Sequence, residues 1–470
     1  MNAPSIFKTG SDDSHTDYLR IDRSCFLAGG LFIKFLYAFL HRRLRGHISL
    51  AGSSESRKIL KNWRGRFYLP GNTWVLALSA TVWNIGGAMI NPYQSVYFSG
   101  LGANSVFIGL LLGVNSAVTA LMQLVGGYVA DAWGRRKVIV IFSFLSAGTA
   151  FVFIFTSEPA LLMIPIVIGA ISGIYGPAFN ATLTDSMEPE LRARGLVSFT
   201  LVTSLPSIFF PYVGGTLMQT LGTLEGLRIA FFFSGLLGVI GVSYRALTLK
   251  ETYVGLGGKE KKRIRRLVSD FFTDNLFVLR NATDGAKKLL IYAVLASAGT
   301  AMTVPYTSIY LVNIANLPPQ FYGLLTNIAG LISVLLLLPA ARIIERVGLR
   351  KSAVYASLSI PVNQLIFVRA KGTDDFVTWT AIGGASGALL GPSLTALQAN
   401  LSPQEMRGRI MAMFSVFSLI TAVPAQIVGG YLFQTLGPLS PFIASTPIFV
   451  LATLILIRIK ESGPRPTEKS

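Results

Sequence analysis

From Trp74 onward the chain alternates long apolar runs with short polar breaks. Twelve runs reach spanning length, at roughly 74–98, 105–131, 138–157, 160–185, 195–221, 227–248, 289–312, 322–345, 351–369, 375–399, 409–436 and 440–459. A helix rises about 1.5 Å per residue, so about 20 apolar residues cross the hydrocarbon core of a bilayer. The runs are continuous rather than alternating in polarity, which predicts helices and an all-α integral membrane chain. Residues 1–73 are polar and basic apart from Cys25–Leu40, which Lys34 interrupts and His41, Arg42, Arg43 and Arg45 follow. Cations after the apolar stretch are the reverse of a secretory signal, so the stretch is predicted to lie along the membrane interface, with a thirteenth span as the alternative. Between the sixth and seventh runs, residues 250–288 form a polar linker with the core Gly257-Gly258-Lys259-Glu260-Lys261-Lys262-Arg263-Ile264-Arg265-Arg266. The expected divisions are a tail (1–73), a six-helix half (74–249), the linker (250–288), a second six-helix half (289–460) and a short tail (461–470).

The halves repeat. Pro92-Tyr93-Gln94-Ser95-Val96-Tyr97 matches Pro305-Tyr306-Thr307-Ser308-Ile309-Tyr310, and Gly109-Leu110-Leu111 matches Gly323-Leu324-Leu325. Gly176-Pro177 matches Gly391-Pro392, Arg192 and Arg194 match Arg407 and Arg409, and Gly214-Gly215 matches Gly429-Gly430, at a constant offset of 213–215 residues. A parallel repeat of this kind predicts two six-helix halves related by an axis along the membrane normal, with a solute path between them.

Only 13% of residues are charged, about half the usual share of a soluble protein. The net charge of +19 does not call for a nucleic acid. With the N-terminus inside, every Lys and Arg except Arg228, Arg369 and Lys371 falls on the cytoplasmic side, as the positive-inside rule requires. Both termini are therefore expected in the cytoplasm and the bundle in the plasma membrane. Cys25 is the one cysteine, and His15, His41 and His47 all precede the first strong span, which leaves no thiolate metal site and no histidine relay within the bundle. Gly258-Lys259 lacks the glycine framework of a phosphate-cradling loop. No cofactor, metal or enzymatic constellation is expected.

The most specific stretch is Gly126-Gly127-Tyr128-Val129-Ala130-Asp131-Ala132-Trp133-Gly134-Arg135-Arg136-Lys137. Here Gly127 is expected to admit a neighbouring helix, Asp131 to supply a carboxylate at a helix end, and Gly134 to allow a tight turn that Arg135, Arg136 and Lys137 hold at the cytoplasmic side. A second copy runs through Ala341, Glu345, Gly348, Arg350 and Lys351. The stretch resembles motif A of the major facilitator superfamily, and Pro211 to Gly215 resembles part of the antiporter motif of its drug-exporter branch. The resemblance implies alternating access, with these loops breaking and remaking cytoplasmic contacts, and Asp185, Arg192, Arg194, Arg407 and Arg409 supporting them.

Asn84, Gly87, Asn91 and Gln94 form one polar stripe on the first helix, and Ser297, Thr300, Thr303 and Thr307 form its counterpart on the seventh. Asn84, Asn91, Gln94, Ser297, Thr300 and Thr307 are the candidate lining of the path, although hydroxyls also bond their own helix or glue neighbours. The spans show no ionisable side chain away from their ends, where Asp131, Asp185 and Glu345 stand, so a neutral cavity is expected. The combined expectation is a monomeric secondary transporter exporting a small organic solute, with a proton or sodium ion if coupled. An uptake carrier or facilitator for a neutral solute such as a sugar is the alternative, and a transporter-fold sensor the second.

Overall fold

The chain falls into two units, Met1–Arg66 and Phe67–Ser470. A computed structural model describes residues 68–252, 282–402 and 407–459 of the second. The stretch Cys25–Leu40 and the linker core lie outside the described residues.

The described residues form twelve helices in order: α1 Gly71–Gly100, α2 Ser105–Trp133, α3 Arg135–Ile154, α4 Pro159–Asp185, α5 Arg192–Leu221, α6 Thr223–Thr248, α7 Asp284–Ile314, α8 Pro319–Val347, α9 Leu349–Arg369, α10 Thr373–Leu401, α11 Arg407–Thr435 and α12 Ser440–Ile457. The described residues contain no strand. Ten of the helices are long and apolar enough to cross a membrane on length and composition alone; α9 and α10 are not among them. Their polar side chains turn toward other helices instead of lipid: Ser357 meets Thr453 at 2.7 Å, Ser359 meets Ser386 at 2.5 Å, and Gln364 is buried. The seventh helix begins at Asp284, earlier than the apolar pattern indicates, because Thr283 caps it by accepting from the Ala286 N–H at 3.2 Å.

Prolines set the breaks. Pro92 opens a tight turn, Asn91–Tyr93, within α1, and Pro206 opens another, Leu205–Ile208, within α5.

The apolar core explains the shape. At the end remote from the α2–α3 and α8–α9 loops, one cluster joins both halves: Tyr93, Tyr97, Phe98 and Phe153 pack continuously with Tyr306, Tyr322, Phe433 and Phe442. At the other end, which carries Arg135, Arg136, Lys137, Arg350 and Lys351, the core is two separate clusters. One belongs to the first half (Leu76, Val138, Ile139, Leu183) and one to the second (Leu289, Ala353, Leu397, Leu456). We call these the sealed end and the basic end. Two bodies that share a core at one end only diverge toward the other.

Candidate transport path and motif loops

The two motif copies fold alike. Gly134 has φ +91° and Gly348 φ +94°, a backbone region that residues with a Cβ rarely adopt, and each glycine ends one helix and starts the next within a single residue. Their N–H groups bond Ala130 O at 3.0 Å and Ile344 O at 2.9 Å. Arg136 then donates from its guanidinium to Ala246 O, at the end of α6, at 2.7 Å, and its repeat, Arg350, donates to Ile457 O at the end of α12. In each half the cation two residues after the motif glycine thus ties the loop to the last helix of that half. Glu251 joins the first loop by accepting from the Arg136 N–H at 3.0 Å, where a carboxylate meets the positive end of α3. Sequence reasoning missed Glu251, and its nearness to Gly134 emerges only when α6 packs beside α3.

One expectation for this loop is corrected. The glycine against a neighbouring helix is Gly126: a Cβ there would stand 2.3 Å from Ile174 O of α4, while one on Gly127 would meet nothing within 4 Å. Arg135 pairs with Asp185 at the end of α4 at 2.5 Å. Asp131 is exposed and, among the described residues, makes no hydrogen bond or ion pair. Lys137, Glu345, Lys351, Arg192 and Arg194 are exposed at the same end. Arg407 and Arg409 stand at the start of α11, their side chains outside the description.

The polar stripes divide by role. Asn84 Nδ2 donates to Thr203 O of α5 at 2.8 Å, and Ser297 Oγ donates to Ser418 O of α11, also at 2.8 Å. These repeat-related bonds join helices. Thr303 and Thr307 bond carbonyls of their own helix. Asn91 and Thr300 are exposed, Gln94 is half-buried, and none of the three makes a side-chain hydrogen bond among the described residues. A cavity of about 410 Å³ borders the α7 stripe and is lined by Ala296, Ser297, Thr300, Ala301, Val304, Pro305 and Gln426. Among the lining residues, Gln426 accepts through Oε1 from Ser116 Oγ of α2 at 3.2 Å, and Val304 lies at the repeat position of Asn91.

Among the described residues, one charge lies inside the bundle. Arg245, three residues before the end of α6, is only 3% exposed and donates to Ser79 Oγ at 2.7 Å and Ser143 Oγ at 3.0 Å. Its guanidinium lies 5.2 Å from the Phe179 ring centre and 5.9 Å from that of Trp83. The expectation of spans free of interior charge therefore fails at this residue. In the linear pattern it reads as the first cation of a basic flank, but α6 turns it inward between α1, α3 and α4.

The model of the Major Facilitator Superfamily matches residues 75–360 and 289–470. The chain belongs to the major facilitator superfamily. An uncharacterized MFS-type transporter of Methanocaldococcus jannaschii is 22% identical over 376 residues, spanning 78% of this chain and 93% of that protein. The quinolone resistance protein NorA of Staphylococcus aureus is 25% identical over 157 residues, 33% of this chain and 39% of its own. Among solved structures, the nucleoside transporter NupG aligns with a TM-score of 0.62 at 16% identity, covering 82% of this chain and 98% of its own. The inward-open xylose transporter XylE from E. coli aligns with a TM-score of 0.62 at 16% identity, covering 83% and 96%. At these identities the structures establish the superfamily fold and leave the solute open. The fold makes the chain a multi-pass membrane protein, and membership makes it a secondary transporter of small molecules.

Proposed function

We propose that this transporter works by alternating access, moves a small organic solute out of the cell, and stands here open to the cytoplasm through its basic end. The split core carries the reading: shared packing at one end and two separate clusters at the other are what rocking halves produce at one extreme of their motion. Positive-inside asymmetry supports a cytoplasmic basic end. Export draws support from the partial similarity to NorA and from Pro211 to Gly215.

The cavity wall supports a neutral or amphipathic solute. Its polar groups are hydroxyls and a carboxamide, Ser297, Thr300 and Gln426, among apolar side chains. The test is a growth and accumulation screen in a host stripped of its own exporters. Resistance with lowered accumulation supports export, while raised uptake of a nutrient would replace export with the carrier reading. For orientation, single cysteines at Gly102 and Leu317, in a background lacking Cys25, should react with impermeant reagents from outside, and one at Trp133 should not. The opposite labelling pattern would invert the assignment.

A further inference from the structure

At the sealed end the repeat landmarks converge on two buried tyrosines. Tyr93 is fully buried, and its hydroxyl lies 2.9 Å from Pro211 O of α5, in its own half, and 2.9 Å from Pro319 O of α8, in the other. Tyr306, its repeat, is likewise fully buried, with its hydroxyl 2.8 Å from Gln426 O of α11, in its own half, and 3.3 Å from Ser105 O of α2, in the other. Ser105 and Pro319 are the first residues of equivalent helices, so the two arrangements are copies related by the repeat.

Each hydroxyl sits where two glycines cross. A Cβ built on Gly215 or Gly323 would stand 2.5 Å from the Tyr93 oxygen, and one on Gly430 or Gly109 would stand 2.7 Å from the Tyr306 oxygen. The same added atoms would lie 2.4 Å from Pro319 O at Gly215 and 2.2 Å from Ser105 O at Gly430. The missing side chains are what let the helices of opposite halves approach closely enough for one phenol to reach both carbonyls.

We infer that Tyr93 and Tyr306 are twin latches that hold the sealed end shut and set how often it opens. The chemistry suits a contact that must break and re-form. A phenol has one proton, shared here between two carbonyl acceptors, one of them in its own half. When the halves part, Pro211 O or Gln426 O still accepts that proton, so opening strands no buried donor. Each carbonyl across the seam also serves its own helix. Release is therefore cheap and reversible, unlike the parting of a buried ion pair. The tyrosines act by positioning the halves and are not assigned a contact with solute. The other cross-half bonds among the described residues, Ser116 to Gln426 at 3.2 Å, Asn313 to Ser99 at 3.3 Å, Val106 N–H to Gln434 at 3.4 Å and Asn327 to Phe209 O at 3.4 Å, occur once each, without a repeat counterpart, and so do not form a matched pair.

The inference rests on alternating access, and the experiment separates the two. A single reporter cysteine replaces Thr300 in the Cys25→Ser protein, and its reaction with an impermeant maleimide is timed in intact cells and in inverted vesicles. The parent should label quickly in inverted vesicles and slowly in intact cells; the reverse would overturn the proposed orientation and access state. Tyr93→Phe and Tyr306→Phe keep the rings and remove only the hydroxyls. Each should raise the rate in intact cells by about three- to fivefold, and the double variant by about ten- to twentyfold, the scale of one lost hydrogen bond per latch. Gly215→Ala and Gly430→Ala, which drive a methyl into the opposite half, should raise it too. Melting temperature is measured alongside. Normal labelling in inverted vesicles with unchanged labelling in intact cells for all of these variants would overturn the latches alone, as would destabilisation without a change in labelling.

Discussion

Asn84 donates from Nδ2 to the main-chain oxygen of Thr203 at 2.8 Å, and this bond holds α1 to α5 just before α5 breaks. Its copy, Ser297 to Ser418 O at 2.8 Å, holds α7 to α11. Both residues belong to the polar stripes, yet both are engaged in joining helices, whereas Asn91 on the first stripe is exposed and its side chain makes no hydrogen bond among the described residues.

That division gives a paired expectation. Asn84→Leu and Ser297→Ala should chiefly lower stability, by about 0.6 kcal/mol per interhelical bond within a membrane. Asn91→Leu and Gln94→Leu should leave the melting temperature unchanged or raise it, while solute affinity falls by about 1–3 kcal/mol. Melting and solute binding measured on one preparation decide the matter. Destabilised Asn91→Leu with intact affinity would make Asn91 another tie.

Asp131 is exposed here and makes no described hydrogen bond or ion pair, while its neighbour Arg135 is held by Asp185 at 2.5 Å. If the basic end closes during transport, an exposed carboxylate in the last turn of α2 acquires partners only in the closed state, so its removal should spare the state seen here. Asp131→Asn is expected to insert and melt like the parent and to transport at least several-fold more slowly. Transport at the parental rate, with equal expression, would remove Asp131 from gating.

Glu251 and Arg136 form a clamp around the first motif loop, with the carboxylate on the Arg136 N–H at 3.0 Å and the guanidinium on Ala246 O at 2.7 Å. Glu251→Ala leaves the start of α3 without its capping carboxylate and should lower stability by about 0.5–2 kcal/mol, the range for a helix N-cap. Arg136→Ala frees the loop from α6 and should slow transport, as should Arg350→Ala in the other half. Chemical denaturation checks the first expectation and solute flux the other two.

The twelve-helix pattern, the parallel repeat and the glycine turns at Gly134 and Gly348 were legible because each depends on local order: apolar length, fixed spacing, a residue lacking Cβ. What the sequence concealed depends on facing. Gly126 and Gly127 are adjacent and chemically identical, and only the path of α4 decides that Gly126 packs against Ile174. Asn84 and Asn91 sit on one stripe, and the course of α5 decides that one is bonded and the other open. Tyr93 and Tyr306 appeared as matched letters; their meaning required the carbonyls of α2, α5, α8 and α11.

Arg245 is the case where concealment and function meet. The second half places Tyr292 and Ser357 at the repeat positions of Ser79 and Ser143. Leu456 precedes Ile457, the acceptor of Arg350, as Arg245 precedes Ala246, the acceptor of Arg136, and Leu456 is fully buried without a charge. Two hydroxyls and two rings satisfy Arg245 in part, but no carboxylate pairs with it among the described residues, and an unpaired cation in a membrane bundle is a costly way to fill space. Were it only a packing residue, Arg245→Leu would lower melting temperature and transport together. If its charge biases the bundle against cations, Arg245→Leu should keep or raise the melting temperature and relax charge selection. At a separation of about 10 Å and an effective dielectric of about 20, the repulsion of a cationic solute is about 1.7 kcal/mol, a factor of roughly ten to twenty. The measurement is the ratio of transport of an organic cation to that of a neutral analogue of equal size. It should rise by about that factor in Arg245→Leu and remain parental in Arg245→Lys. A parental ratio in Arg245→Leu, with melting temperature and flux both reduced, would return Arg245 to packing alone.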